Sequence, residues 1–257
     1  MPGYMAVVTA CAQEAALVYR LLQSRQPRPS PAGLVWQGQL HQQEVVVIQG
    51  GMGPAHASQA LHWLSQQYPL QGVLSVGFAG ALHADLKAGD ALLVTHLLPA
   101  QTATADTAAR GLWPDARLAH IAAMAVAQAA VVSHSGTLVH TPTVVTQASS
   151  KQALGQRSGA LAVDMESYSI GTIAVQQAIP FAILRTVFDT SNEDFLMPMG
   201  QCTTANGCLQ SWRLLACLLA QPSLLLALPH WWWASRCAGQ HLQRWLRHFF
   251  LLLQQGA

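Results

Sequence analysis

The sequence predicts an α/β fold with a mostly parallel central sheet and an appended helical tail. Three observations point there. Short, β-branched-rich apolar runs alternate with longer helix-like patterns up to about residue 195. Runs such as Val45-Val46-Val47-Ile48 and Phe181-Ala182-Ile183-Leu184 are apolar at every position, the mark of strands buried on both faces. Beyond residue 200 strand signals vanish, and Leu, Trp and Gln dominate.

Taken in order, the first strand is an apolar run at 5–10, followed by a helix at 13–22. Three prolines make 24–31 a loop. Strands at 33–38 and 44–49 lead to the turn Gly50-Gly51-Met52-Gly53-Pro54 and a helix at 54–67. A strand at 72–77 runs into Gly77-Phe78-Ala79-Gly80-Ala81. The alternation continues with a strand at 90–96, a loop at 98–107, a helix at 114–130 and a strand at 135–139. A strand at 160–163 leads directly into Asp164-Met165-Glu166 and a helix at 166–178; the last strand, 180–188, stops at Asp189. Residues 1–200 read as one domain and 201–257 as an apolar tail of several short helices, with no repeat period.

Composition excludes several classes of protein. The chain is 51 % hydrophobic and 9 % charged, against roughly 25 % charged in an average soluble domain, so it is not intrinsically disordered. A net charge of +2 is too small for a general nucleic-acid binder. Five cysteines (Cys11, Cys202, Cys208, Cys217, Cys237) without a C-x-x-C pair argue against a disulfide framework and a structural zinc. The eleven histidines have no metal-ligand spacing, and His56 reads as a surface residue. The glycine turn at 50–53 lacks the dinucleotide spacing. No signal peptide is read at the N-terminus, so a cytoplasmic protein is expected.

Ligands of open α/β sheets bind at the carboxyl ends of the strands. Glu14, Asp164, Glu166 and Asp189 all fall on that rim, beside two glycine-rich turns. Each has a plainer reading alone: a first-turn acid for Glu14, an N-cap for Asp164, a turn for Asp189. Their joint placement is what points to a site.

Val76-Gly77-Phe78-Ala79-Gly80-Ala81, Val163-Asp164-Met165-Glu166-Ser167 and Leu184-Arg185-Thr186-Val187-Phe188-Asp189 resemble the nucleoside phosphorylase and nucleosidase superfamily, over about residues 5–195. Glu14, with no phosphate-site arginine, resembles the methylthioadenosine/adenosylhomocysteine nucleosidases. The Leu- and Arg-bearing tail resembles the hopanoid-associated phosphorylases, which remove adenine from adenosylhopane. The resemblance implies an α/β/α sandwich with a mixed, mostly parallel sheet. It further implies a homodimer that needs no cofactor and releases adenine from a 5′-modified nucleoside, adenosylhopane of hopanoid lipid biosynthesis being favoured. The alternatives are a soluble methylthioadenosine/adenosylhomocysteine nucleosidase and a catalytically silent, membrane-associated nucleoside binder.

The resemblance also implies roles that the chemistry supports. A purine anion leaves well only when protonated at N7, so a carboxylic acid must sit beside the base. That position is Asp189, where burial raises the carboxyl pKa. Glu166 is implied to accept hydrogen bonds from the ribose hydroxyls and to favour the developing positive charge, with Met165 against the sugar. Glu14 is implied to activate the attacking water. Phe78, Ala79 and Gly80 line one side of the purine, with Val144 and Val145 on the other. Phe188 stands where nucleosidases carry a small hydroxyl residue and is expected to form an apolar wall.

Phosphorolysis needs a dianion site of arginines and helix N-terminal amides. In the phosphorylase branch an arginine stands where this chain has Ser75, and a serine where it has Phe78. Nothing in the sequence places Arg20 as a substitute. Hydrolysis is therefore expected, with phosphate as an alternative co-substrate.

In the tail, Leu242, Trp245, Leu246, Phe249, Phe250 and Leu253 share one helical face, with Arg244, Arg247 and His248 mostly opposite. Together with Trp231-Trp232-Trp233, this predicts a peripheral membrane-interface element within 209–257. Coverage of the core or a subunit contact is the plainer alternative. The uncharged stretch 214–235 has spanning length, but Gln221-Pro222-Ser223 and Pro229-His230 argue against a span.

Overall fold

The computed structural model describes residues 3–99, 111–195 and 224–256. Its elements run β1 (Tyr4–Thr9), α1 (Ala12–Tyr19), β2 (Gln23–Ser30), β3 (Gly33–Leu40), β4 (Gln43–Gln49), α2 (Pro54–Gln67), β5 (Leu70–Ala81) and β6 (Ala91–Leu98). Then come α3 (Ala116–Gln128), β7 (Ser133–His140), α4 (Ala148–Ser158), β8 (Ala162–Asp164), α5 (Ser167–Gln176), β9 (Phe181–Asp189) and α6 (Leu224–Gln254).

The continuously apolar runs lie at the centre, as two-faced burial requires. β4, β1, β5 and β9 are parallel neighbours. The nine strands are ordered β2-β3-β4-β1-β5-β8-β7-β6-β9, and β9 also pairs with β5. Strands β5, β8, β7, β6 and β9 therefore close on themselves, while β1, β4, β3 and β2 extend from β5 as an open wing. The sheet is mixed, with β2–β3, β3–β4, β5–β8 and β6–β9 antiparallel.

Helices cover both faces, giving the expected α/β/α sandwich. Leu61 and Leu64 of α2 and Ile170 of α5 pack against Val46, Ile48 and Ile183 on one face. On the other face Val18 of α1, Ile121 and Val126 of α3, and Trp245 and Phe249 of α6 pack against Val7, Val47 and Leu184.

Three expectations are corrected. Residues 24–31 are not a loop but most of β2, an exposed edge strand paired with β3. Pro27 and Pro29 lie two residues apart, so both missing N–H groups fall on one side of the strand, and an edge strand has one side that needs no partner. The C-terminal segment is not several short helices: residues 224–254 form one helix that runs through Pro229. The stripe assigned to a membrane interface faces the core, with Leu242, Trp245, Leu246, Phe249 and Phe250 at 0 % exposure. The Trp245 indole N–H donates to the Ala122 carbonyl at 2.8 Å, joining α6 to α3. The apolar period was real, but the sheet and α3 cover it. Trp231 is buried, whereas Trp232 and Trp233 are 65 % and 54 % exposed. No helix among the described residues is long and apolar enough to cross a membrane. Residues 214–223, Cys202, Cys208, Cys217 and most of the loop expected at 98–107 lie outside the described residues.

Candidate active site

Four of the eleven acidic side chains of the chain, Glu14, Asp164, Glu166 and Asp189, line one cavity of about 240 Å³. They come from the ends of β1, β8 and β9, and each is held differently.

Glu14 sits in the first turn of α1. Its Oε2 accepts the N–H groups of Ala10 (2.9 Å) and Cys11 (3.2 Å), while Oε1 accepts the N–H of Phe78 at 2.9 Å. The first-turn reading is thus right as local geometry, yet the same carboxylate bridges β1 to β5. It also engages the backbone of Phe78, a residue expected to line the purine. Beside it, burial pushes the Cys11 thiol up, as does the Glu14 charge.

Glu166 follows the three-residue β8 and precedes α5. Its Oε1 accepts the N–H of Gly53 at 2.8 Å. Burial, then the neighbouring Asp164 charge, raise its carboxyl to about 7 despite the pull of Arg185.

Asp164 is engaged by Arg185, whose Nε and Nη2 donate to Oδ2 at 2.9 and 2.8 Å. Arg185 Nη2 also donates to Ser75 Oγ at 2.9 Å. This arginine is 3 % exposed, and its Nη1 has no hydrogen-bond partner among the described residues. A Cβ on Gly77 would lie 2.4 Å from Glu14 Oε1 and 2.8 Å from Arg185 Nη1. Glycine at 77 is therefore what lets the two groups approach the same point.

Asp189, at the end of β9, forms an ion pair with Lys151 of α4. Burial pushes the Asp189 carboxyl up; Lys151 pulls it down, and the balance is upward. The walls are apolar, with Phe78 and Phe188 rings 5.8 Å apart and Phe195 a further 5.9 Å from Phe188.

Every residue nominated from the sequence borders this cavity: Glu14, Phe78, Ala79, Gly80, Val144, Val145, Met165, Glu166, Phe188 and Asp189. Arg20 lies in a separate groove between α1 and α6. The ring Nδ1 of His56 hydrogen-bonds the Met52 carbonyl at 3.0 Å, outside the cavity lining. Two charged residues were missed. Arg185 carries a signal, because a charge inside an apolar strand run must be paired. Lys151, in Ala148-Ser149-Ser150-Lys151-Gln152, carries none. Among the described residues no cluster of three or more His, Cys, Asp or Glu side chains could hold a metal ion.

A family model, the Phosphorylase superfamily, matches residues 4–205, and the chain belongs to that superfamily. It is 29 % identical over 171 residues to the 5′-methylthioadenosine/S-adenosylhomocysteine nucleosidase of Shewanella piezotolerans, covering 61 % of this chain and 73 % of the relative. The nucleosidase of the same description from Oceanobacillus iheyensis is 23 % identical over 198 residues, covering 73 % of this chain and 86 % of the relative. Among solved structures, such a nucleosidase from Colwellia psychrerythraea in complex with adenine superposes with a TM-score of 0.76 at 17 % identity, covering 97 % of this chain and 95 % of that one. Futalosine hydrolase of Helicobacter pylori gives 0.72 at 18 % identity, covering 95 % and 97 %. At these identities the structures share the fold.

Proposed function

We propose that this protein hydrolyses the N-glycosidic bond of a 5′-modified purine nucleoside and releases adenine, an activity of the methylthioadenosine/adenosylhomocysteine nucleosidase type. The observation that carries the reading is that Glu14, Glu166 and Asp189 face one cavity whose described lining contains no lysine or arginine. In this reading protonated Asp189 gives its hydrogen to purine N7 as the C1′–N9 bond breaks and its electron pair passes to the base. Glu166 accepts hydrogen bonds from the ribose hydroxyls and offsets the positive charge at C1′. Glu14, oriented by three backbone N–H groups, takes the proton of the water whose oxygen bonds to C1′.

Phosphate fits poorly as the nucleophile. Arg185 donates from Nε and Nη2 to Asp164 and Ser75 and is not part of the cavity lining, and the Gly53 N–H at the start of α2 is taken by Glu166. A dianion would meet the carboxyl groups of Glu14, Asp164 and Glu166. The test is incubation with methylthioadenosine, adenosylhomocysteine and longer 5′-substituted adenosines, with and without phosphate, measuring free base and the sugar product. Adenine and a free ribose product without phosphate are expected; strict phosphate dependence overturns hydrolysis.

Adenosylhopane, reached from a membrane surface, is the second reading. Its support is the exposed pair Trp232 and Trp233, with the Arg236 guanidinium 5.2 Å from the Trp232 ring centre. Liposome flotation of the parent, lost in a Trp232→Ser/Trp233→Ser variant, is the expected outcome. A parent that stays with the soluble fraction removes this reading and leaves the first intact. A catalytically silent binder is excluded once the parent releases adenine and Asp189→Asn does not.

A further inference from the structure

Lys151 is one of only two lysines in the chain, and it has no exposed surface. From the first turn of α4 its ammonium donates to the carbonyls of Thr190 and Glu193, each at 2.9 Å, and pairs with Asp189 Oδ2. Three donors meet three acceptors, so the charge is held in one place. Two further bonds tie the same segments. Asp194 accepts the Ala148 N–H at 2.8 Å, and the Phe195 N–H donates to the Thr146 carbonyl at 2.7 Å. The end of β9, the wall residue Phe195 and the segment carrying Val144 and Val145 are thus joined around one ammonium.

A buried ion pair is an expensive way to join two segments, since well-packed apolar residues commonly serve stability as well. The charge therefore calls for a reason in the chemistry. We propose that Lys151 is a positioning residue for base release: it grips Asp189 Oδ2, leaves Oδ1 for the purine, and disposes the acid to give its proton up. This rests on the reading of Asp189 as the acid. The charges that act on Asp189 are Lys151 on α4 and Glu193 after β9, while Glu14, Asp164 and Glu166 share its cavity; Glu193 pushes the opposite way and is itself bonded to His230 of α6 at 3.0 Å. Lys151 lowers the proton affinity that burial raises, so the two act on the acid in opposite directions.

The test is the pH profile of adenine release by Lys151→Met, Lys151→Gln and Lys151→Arg. Protonated Asp189 is the working form, so the alkaline limb of kcat marks the loss of its proton. Removing the ammonium moves that limb upward by about one to three pH units. The same change lowers kcat at pH 7 on the order of tenfold to a hundredfold, with a smaller change in KM. Lys151→Arg keeps the limb near its parental position. If Lys151→Met or Lys151→Gln releases adenine with the parental limb, the positioning role is overturned while the enzyme reading stands. If Asp189→Asn keeps the parental rate, the assignment of Asp189 as the acid falls, and with it the reading on which this proposal rests.

Should the neutral variants not fold, ¹⁵N-lysine labelling of the parent resolves two side-chain signals, from exposed Lys87 and buried Lys151. The Lys151 signal shifts at the midpoint of the alkaline limb and does so no longer in Asp189→Asn. A Lys151 signal that stays flat across the limb overturns the proposal.

Discussion

The N–H of Gly53 donates to Glu166 Oε1 at 2.8 Å, joining the start of α2 to the end of β8. An amide at a helix N-terminus is a ready anion site, and here a side chain of the protein occupies it. The helix start that could hold an anion is thereby filled by a carboxyl of the cavity itself.

The first prediction concerns pH. Burial sets the Glu166 carboxyl at about 7, above the 4.5 of the free group. In the proposed function Glu166 accepts ribose hydroxyls in its ionised form, so kcat/KM is expected to fall as pH drops below about 7, with the alkaline limb assigned to Asp189. Because the folded state holds this proton more tightly, the group does not destabilise below about 4.5, and its cost grows to full size above about 7. Glu166→Gln therefore raises the melting temperature at pH 8 and leaves it unchanged at pH 4, although activity is lost. At about 1.36 kcal/mol per pKa unit the gain at pH 8 is on the order of 3 kcal/mol. Equal melting shifts at both pH values would contradict this.

In the proposed function Asp189→Asn removes the proton that the departing base requires. Its adenine release falls by about 10²–10⁴-fold, the usual worth of a general acid, with nucleoside binding largely kept. Lys151 loses its carboxylate partner, so the melting temperature falls as well. Single-turnover base release and calorimetry check the two parts separately.

Gly77→Ala tests the convergence of Glu14 and Arg185. The added Cβ would stand 2.4 Å from Glu14 Oε1, so one group must move. Activity drops by roughly a hundredfold, and overpacking costs about 1–3 kcal/mol. An alanine variant with parental turnover would separate Glu14 from the chemistry.

Trp245→Ala tests the place of α6. Deleting a fully buried tryptophan whose N–H is bonded to Ala122 costs about 3–5 kcal/mol in urea unfolding. A change below about 1 kcal/mol would mean the helix stands apart from the core. Truncation before residue 224 removes core residues, so membrane attachment is better tested at Trp232 and Trp233.

How much could be read in advance follows from how each element is buried. β4 and β9 were legible because burial on both faces demands an apolar residue at every position. The bounds of α2, 54–67, coincide with the expectation. β2 was missed because an exposed edge strand has no hydrophobic period, and its prolines argued for a loop. α4 was missed because its interior is polar and only Lys151 and Leu154 are buried. Arg185 could have been flagged from its apolar strand, whereas Lys151 could not, since nothing local distinguishes a buried lysine from a solvated one.

The order of residues alone determined the α/β alternation and the gathering of Glu14, Asp164, Glu166 and Asp189 on one rim, because strand burial and strand ends are local properties of a chain. Only the tertiary structure decided the partners: Lys151 for Asp189, Gly53 for Glu166, the sheet and α3 for the apolar stripe of α6. An amphipathic period states that a face must be covered, and a buried charge that it must be paired. What does the covering or pairing lies tens to hundreds of residues away, where sequence spacing carries no distance.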